Sequence, residues 1–323
     1  MLTLYDGQAV HSKLNLHQLE KSRLNSALWI DLHTPDAAIV TALEAGLGID
    51  IPTPDDMREI ETSSRLYRES GTLFMTATII FSADTESPRS TPVTFIVQPS
   101  RLITLRYADP SPFRRMATMC EKDKSLLHDP TRLLSELLDA IVDRLADLLE
   151  RTAIELDELS EKIFASGKLQ RRDPSYFQIQ LLALGRNADL VAKIRESLSS
   201  ITRLCIYFGE SERVSSVEQK ERVQAIRADL SSLVDHSNFV NSKIQFLLEA
   251  VLGLVNIEQN RVIKALSVAA TVFLPPTLIA SIYGMNFDFM PELSWPLGYP
   301  MAIGLMVLSG LLPYLWLRKR AWI

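Results

Sequence analysis

The sequence predicts an α/β domain over residues 1–112, a long α-helical stalk behind it and two transmembrane helices at the C-terminal end. Three observations carry that reading. Short β-rich runs alternate with helix-start signals in the first third of the chain. From about Pro130 the apolar residues recur at helical spacing with few breakers. Near the end, charge vanishes between Lys264 and Asp288 and again between Glu292 and Arg318, two gaps of about 23 to 25 residues, each enough to cross the hydrocarbon core.

Taken in order, Ala27 to Leu32, Leu73 to Phe81, Val93 to Val97 and Leu102 to Leu105 are runs of β-branched and apolar residues bounded by turn residues, and read as strands of one sheet. Thr34-Pro35-Asp36 and Thr53-Pro54-Asp55-Asp56 each combine a capping residue, a first-turn proline and acids, so a helix is expected at each. Helices follow over Leu133 to Ala165, Pro174 to Phe208, and Val217 onward to Pro275, with turns at Gly167 to Asp173 and Gly209 to Ser216. If the last helix continues to Ile282 it is on the order of 90 Å long. Its stripe of Leu230, Leu233, Val234, Phe239, Ile244, Leu247, Leu248, Val251, Leu254 and Val255 is that of a stalk packed against neighbours, which points to oligomerisation around a common axis.

The boundaries that result are 113–262 for the helical bundle and stalk, 263–283 and 298–317 for the spans, 284–297 for the link between them and 318–323 for a basic tail. Arg261 and Lys264 precede the first span and Arg318, Lys319 and Arg320 follow the second, whereas the link carries Asp288 and Glu292 and no Lys or Arg. The positive-inside rule then puts both termini of this multi-pass membrane protein in the cytoplasm, with Trp295 and Tyr299 at one boundary and Trp316 and Trp322 at the other. A buried hairpin and a plain anchor are the alternatives. Pro275 and Pro276 are expected to interrupt the first span, and Ser267, Thr271, Thr277 and Ser281 punctuate it, which suits a helix facing protein or water.

Composition narrows the function. The apolar C-terminal end raises mean hydropathy to +0.08 in a chain with 23% charged residues. A net charge of -5 argues against nucleic acid as a partner. Cys120 and Cys205 lack metal-ligand spacing and read as small core residues in a reducing compartment. Met1 to Gly7 lack the cationic and apolar regions of a secretory leader. Phosphate loops, nucleophile elbows and paired-histidine metal helices are missing and the five histidines are scattered, so no enzyme and no cofactor is expected. Asp55, Asp56, Glu59 and Glu61 read as first-turn acids. The ladder Asp139, Asp143, Asp147 and Glu150 reads as a solvated helix face; basic side chains of a neighbour or loosely held divalent cations are the other ways to relieve its repulsion.

The exception is Tyr283-Gly284-Met285-Asn286-Phe287 at the outer end of the first span. Gly and Asn alone would make an ordinary left-handed helix cap. Together with Phe273-Leu274-Pro275-Pro276-Thr277, Met290-Pro291-Glu292-Leu293 and Asn256-Ile257-Glu258-Gln259-Asn260-Arg261, however, the segment closely resembles the CorA family of magnesium channels. That resemblance implies a funnel-shaped homopentamer in a lipid membrane whose first span lines one pore, with divalent cations as its partners. Mg²⁺ would be both the transported ion and a regulatory ligand on the cytoplasmic side, and Co²⁺ and Ni²⁺ further permeant ions. On that reading Tyr283, Gly284, Met285 and Asn286 form the selectivity filter. A helical stripe through Asn260, Ile263, Leu266 or Ser267, Ala270, Leu274, Thr277 and Ser281 lines the pore, and Asp288 and Glu292 gather cations at the outer mouth. Asp229, Asp235 and Glu249 are the candidate regulatory ligands, since Ala225 and Ala228 stand where acids would be sought. The related zinc branch, ZntB, has Gly-Ile-Asn, and Met285 favours magnesium; a zinc transporter and a membrane-anchored scaffold or sensor remain the alternatives.

Overall fold

The computed structural model describes residues 1–6, 10–11, 21–85, 87–164, 174–285 and 290–320. Seven strands, β1 (Leu2–Tyr5), β2 (Val10–His11), β3 (Trp29–His33), β4 (Leu66–Glu69), β5 (Thr72–Phe81), β6 (Arg89–Gln98) and β7 (Arg101–Arg106), form one sheet in the order β2-β1-β3-β7-β6-β5-β4. Around and beyond it run α1 (Lys21–Ser26), α2 (Ala37–Leu47), α3 (Thr62–Arg65), α4 (Ser111–Lys122), α5 (Pro130–Phe164), α6 (Pro174–Gly209), α7 (Val217–Tyr283) and α8 (Gly298–Lys319). The chain divides into two units, Met1–Arg172 with Gln178–Leu248, and Asp173–Phe177 with Glu249–Ile323.

Among the described residues only β3 and β7 pair in parallel; the other neighbouring strands are antiparallel. Alternation along the central strands sends Leu73, Met75, Ala77, Val93, Phe95 and Val97 to one face. There they pack on Phe113 and Met116 of α4, Leu133 to Leu149 of α5, Leu198 and Ile201 of α6 and Ile226 and Leu230 of α7. Phe74, Ile96, Ile103 and Leu105 point to the other face, against Ile39 and Leu43 of α2. Helices thus cover both faces, and the strands of residues 1–112 share their larger core with the helices that follow. Hydrogen bonds fasten the sheet to α6: Ser200 Oγ accepts from Thr78 N at 2.9 Å and Ser197 Oγ donates to Thr78 O at 2.8 Å.

One charge pair is buried in this sheet. Arg106 Nη2 donates to Asp31 Oδ2 at 2.9 Å, with side chains 8% and 7% exposed. Arg106 Nε is shared between Asp31 Oδ1 and Oδ2 at 3.1 and 3.3 Å, and Trp29 Nε1 donates to Thr104 Oγ1, which donates to Asp31 Oδ1 at 2.7 Å, so both carboxylate oxygens accept two bonds.

Strands β3, β5, β6 and β7 are the four that the sequence predicts; β1, β2 and β4 are additions, as are α1, α3 and α4. The helix expected at Thr53-Pro54-Asp55-Asp56 is only a 3-10 turn, Asp56–Arg58. Its start signal is real, because Thr53 N donates to Asp56 Oδ2 at 2.8 Å and Asp56 N to Thr53 Oγ1 at 3.3 Å. No apolar stripe follows it, and Ile60 is 92% exposed, so packing does not propagate the turn. At Thr34-Pro35-Asp36 the expected helix does form. It ends on Gly48, whose φ of 66° suits a residue without a Cβ.

In the second unit, α7 passes through Pro275 and Pro276 without a break and ends at Tyr283. The expected interruption does not occur, since losing two amide donors weakens the ladder at one level while the turns on either side hold. Thr277 Oγ1 bonds back to Phe273 O at 2.7 Å and Thr271 Oγ1 to Ser267 O at 2.8 Å, so these hydroxyls are satisfied within the helix. The predicted turn at Gly167 to Asp173 lies outside the described residues.

Candidate functional site

The part of α7 beyond Glu249 has two dissimilar sides. Val268, Val272, Pro275, Pro276, Ile279 and Tyr283 are partly buried, and Ala302, Gly310 and Leu317 are the buried row of α8. The residues predicted to line a pore, Asn260, Ile263, Leu266, Ser267, Ala270, Leu274, Thr277 and Ser281, are all exposed. At about 100° per residue, that exposed row lies roughly opposite the partly buried one. Leu266 and Leu274 are 71% and 66% exposed. Leu278, one position off the row, is 62% exposed, so burial within the chain does not separate it from them.

The helix closes tightly at its outer end. Gly284 N donates to Ala280 O at 3.0 Å and Met285 N to Ile282 O at 3.3 Å. Gly284 does not adopt the left-handed conformation expected of a cap, which Gly48 and Gly71 do adopt. An added Cβ would sit 3.1 Å from Ala280 O, so a side chain there requires the last turn to give by a few tenths of an ångström. Beside it Tyr283, Trp295, Tyr299 and Ala302 line a cavity of about 350 Å³. Asn286 and Asp288 lie outside the described residues, and Glu292 falls in the 3-10 turn Pro291–Ser294.

Asp229, Asp235 and Glu249 are exposed along α7. Among the described residues no three or more His, Cys, Asp and Glu side chains come together as a metal-binding group. Two carboxylates of the acidic ladder meet arginines of the same chain: Arg115 reaches Asp143 at 3.3 Å, and Arg222, which pairs with Glu136 at 2.7 Å, lies 4.0 Å from Asp139. Burial, and then the Asp143 charge, still raises Asp139 above the usual carboxylate range. On the stalk stripe, Leu230, Ile244, Leu247 and Val251 are buried as expected, whereas Phe239 is 62% exposed and Leu248 is also exposed.

Against protein families, residues 25–319 match the model described as CorA-like Mg²⁺ transporter protein. The chain belongs to the CorA family. Its members are transporters and not enzymes. The magnesium transport protein CorA of Escherichia coli K12 is 33% identical over 317 residues, 98% of each chain. That of Yersinia pseudotuberculosis is 33% identical over 315 residues, 97% of this chain and 98% of the other. Among solved structures, the CorA magnesium transporter of Methanocaldococcus jannaschii has the same fold at a TM-score of 0.76, with 21% identity and 100% and 99% of the two chains covered. The full-length CmaX protein matches at a TM-score of 0.66 with 15% identity, covering 98% of this chain and 96% of its own. In this CorA chain α8 and the apolar end of α7 are each long enough to span a bilayer, which fits a membrane protein with a soluble N-terminal domain.

The sequence reading found the proline pair but not its partner. Gly310 of α8 is buried, and a Cβ built there would lie 3.3 Å from both Pro276 Cγ and Val272 O. A glycine in an apolar helix carries no signal of which side it faces until its neighbour is placed.

Proposed function

We propose that this protein is a homopentameric magnesium channel of the inner membrane, with both termini in the cytoplasm, passing Mg²⁺ inward down the membrane potential. The observation that carries the proposal is the family match over residues 25–319, which includes Gly284-Met285-Asn286 at the end of the first span. The uncovered row on α7 supports it. A membrane helix has no reason to place Asn260, Ser267, Thr277 and Ser281 on its free side unless that side meets water or protein.

Mg²⁺ holds octahedral oxygen ligands and dehydrates reluctantly, so an entrance that handles the hydrated ion is easier to build than one that strips it. Five Asn286 amides offer carbonyl oxygens to first-shell water. Tyr283, Gly284 and Met285 complete the filter, with Gly284 keeping the last turn compact. Asp288 and Glu292, repeated around the ring, raise the local cation concentration. Below the filter, Ile263, Leu266 and Leu274 form apolar collars that close by dewetting, and Thr277 and Asn260 offer oxygen on either side. A divalent ion crossing 100 mV gains about 4.6 kcal/mol, which drives uptake without a nucleotide. Co²⁺ and Ni²⁺ share the octahedral preference and pass by the same route. Cytoplasmic Mg²⁺ holds the closed state, with Asp229, Asp235 and Glu249 as candidate ligands across subunits.

Purified protein in liposomes with an inward-negative potential tests the proposal. Mg²⁺ uptake that disappears in Asn286→Ala is expected. Zn²⁺ uptake with acidification and no Mg²⁺ uptake would assign the chain to zinc transport instead.

A further inference from the structure

The close approach of α8 to the proline level of α7 leads to one assignment, which rests on the pore reading above. We propose that Gly310 is a positioning residue of the pore helix: its missing side chain is the seat that keeps the Pro275–Pro276 level of α7 drawn back toward α8, and so sets how far Leu274 and Thr277 reach toward the axis.

Two features of one turn meet at this glycine. Pro276 has no N–H, so it cannot bond to Val272 O four residues earlier, and that carbonyl is left without its ladder donor. Gly310 is buried, and a Cβ there would stand 3.3 Å from Val272 O and 3.3 Å from Pro276 Cγ. The backbone of α8 therefore comes close where α7 carries a freed carbonyl and a rigid ring, and where a weak Cα–H···O contact is the available partner in a lipid environment. Neither neighbour is the end of a flexible side chain. A methyl at position 310 cannot be accommodated by a rotamer change, so α7 must give by a few tenths of an ångström. The pore row lies on the opposite side of α7, so the shift carries Leu274 and Thr277 inward in every subunit. Gly304, on the same helix, has nothing within 4 Å of its would-be Cβ and is the internal control.

The test compares Gly310→Ala, Gly304→Ala, Pro276→Ala and the double variant Gly310→Ala/Pro276→Ala in proteoliposomes, with flux normalised to assembled protein. Gly310→Ala is expected to lower maximal Mg²⁺ flux at least threefold with unchanged half-saturation, because the entrance is remote from the seat. Gly304→Ala is expected to match the wild type. Pro276→Ala removes Cγ and restores a donor for Val272 O, so of the two close contacts only that with Val272 O remains, and the double variant should recover part of the flux lost in Gly310→Ala. Wild-type flux in Gly310→Ala, an equal loss in Gly304→Ala, or no recovery in the double variant would overturn the assignment. Should Gly310→Ala fail to assemble, recovery of assembly in the double variant supports the seat and its absence refutes it. Should the wild type carry no Mg²⁺, the channel reading fails, and the seat is read from thermal unfolding alone. Coupling between positions 310 and 276 supports the contact, and strict additivity removes it.

Discussion

At the scale of single residues, the buried pair Asp31 and Arg106 shows how strongly context decides a charge. Both side chains are enclosed by the sheet, and each satisfies the other. Replacing Arg106 with Ala leaves Asp31 charged and buried beneath Trp29 and Thr104, which should cost about 3–5 kcal/mol. Denaturant unfolding of the protein in micelles checks this; a loss under 1 kcal/mol would mean that water reaches Asp31. The cysteines give a milder case. Burial, helped at Cys120 by Asp123, pushes both thiols up to about 12, so neither forms thiolate near neutral pH. Alkylation by iodoacetamide at pH 7.5 should be absent from the folded protein and complete once it is unfolded. The core role of these two cysteines was legible from their spacing alone. By contrast, the Asp31–Arg106 pairing joins residues 75 apart on parallel strands, a contact that no local pattern encodes.

At the scale of elements, the sequence revealed those whose apolar pattern is long or strongly periodic. The strands β3, β5, β6 and β7 and the helices α5, α6 and α7 fall close to their predicted spans, because burial on one or both faces imprints itself on the sequence. Strand β4 was not legible, since Leu66-Tyr67-Arg68-Glu69 is half polar and lies at the sheet edge, where only its pairing with β5 makes it a strand. Pro275 and Pro276 predict an interruption that α7 does not show, because the turns that bracket them hold the helix across the missing donors. The register of α7 supports a further expectation. If Leu266 and Leu274 form dewetted collars, replacing either with Asn wets the constriction, stabilises the conducting state and raises flux severalfold. Leu278→Asn, off the row, should not raise flux per assembled pentamer. Equal fluxes in the three variants would remove the assignment of this face. Gly284→Ala should damage uptake nearly as much as Asn286→Ala, because the methyl comes to 3.1 Å from Ala280 O at the turn that leads into the filter.

At the scale of the whole molecule, what one chain leaves uncovered is as informative as what it buries. Phe239 and Phe246 are 62% and 59% exposed on the stalk, and the row through Leu266 and Leu274 is exposed beyond it. Apolar surface of this extent calls for other protein or lipid, and the stalk residues lie in the soluble part of the chain. The family was legible from Gly284-Met285-Asn286 and its placement, and the periodic stalk stripe pointed to packing against neighbours without identifying which of its residues one chain buries by itself. Imaging of the detergent-solubilised particle tests the central claim most directly, because it reports both the number of subunits and which helix is innermost. The account predicts five subunits, with α7 as the inner ring and Asn260, Leu266, Leu274 and Thr277 facing the axis. Any other symmetry, or a ring in which α8 faces the axis and the α7 row faces lipid, would contradict it.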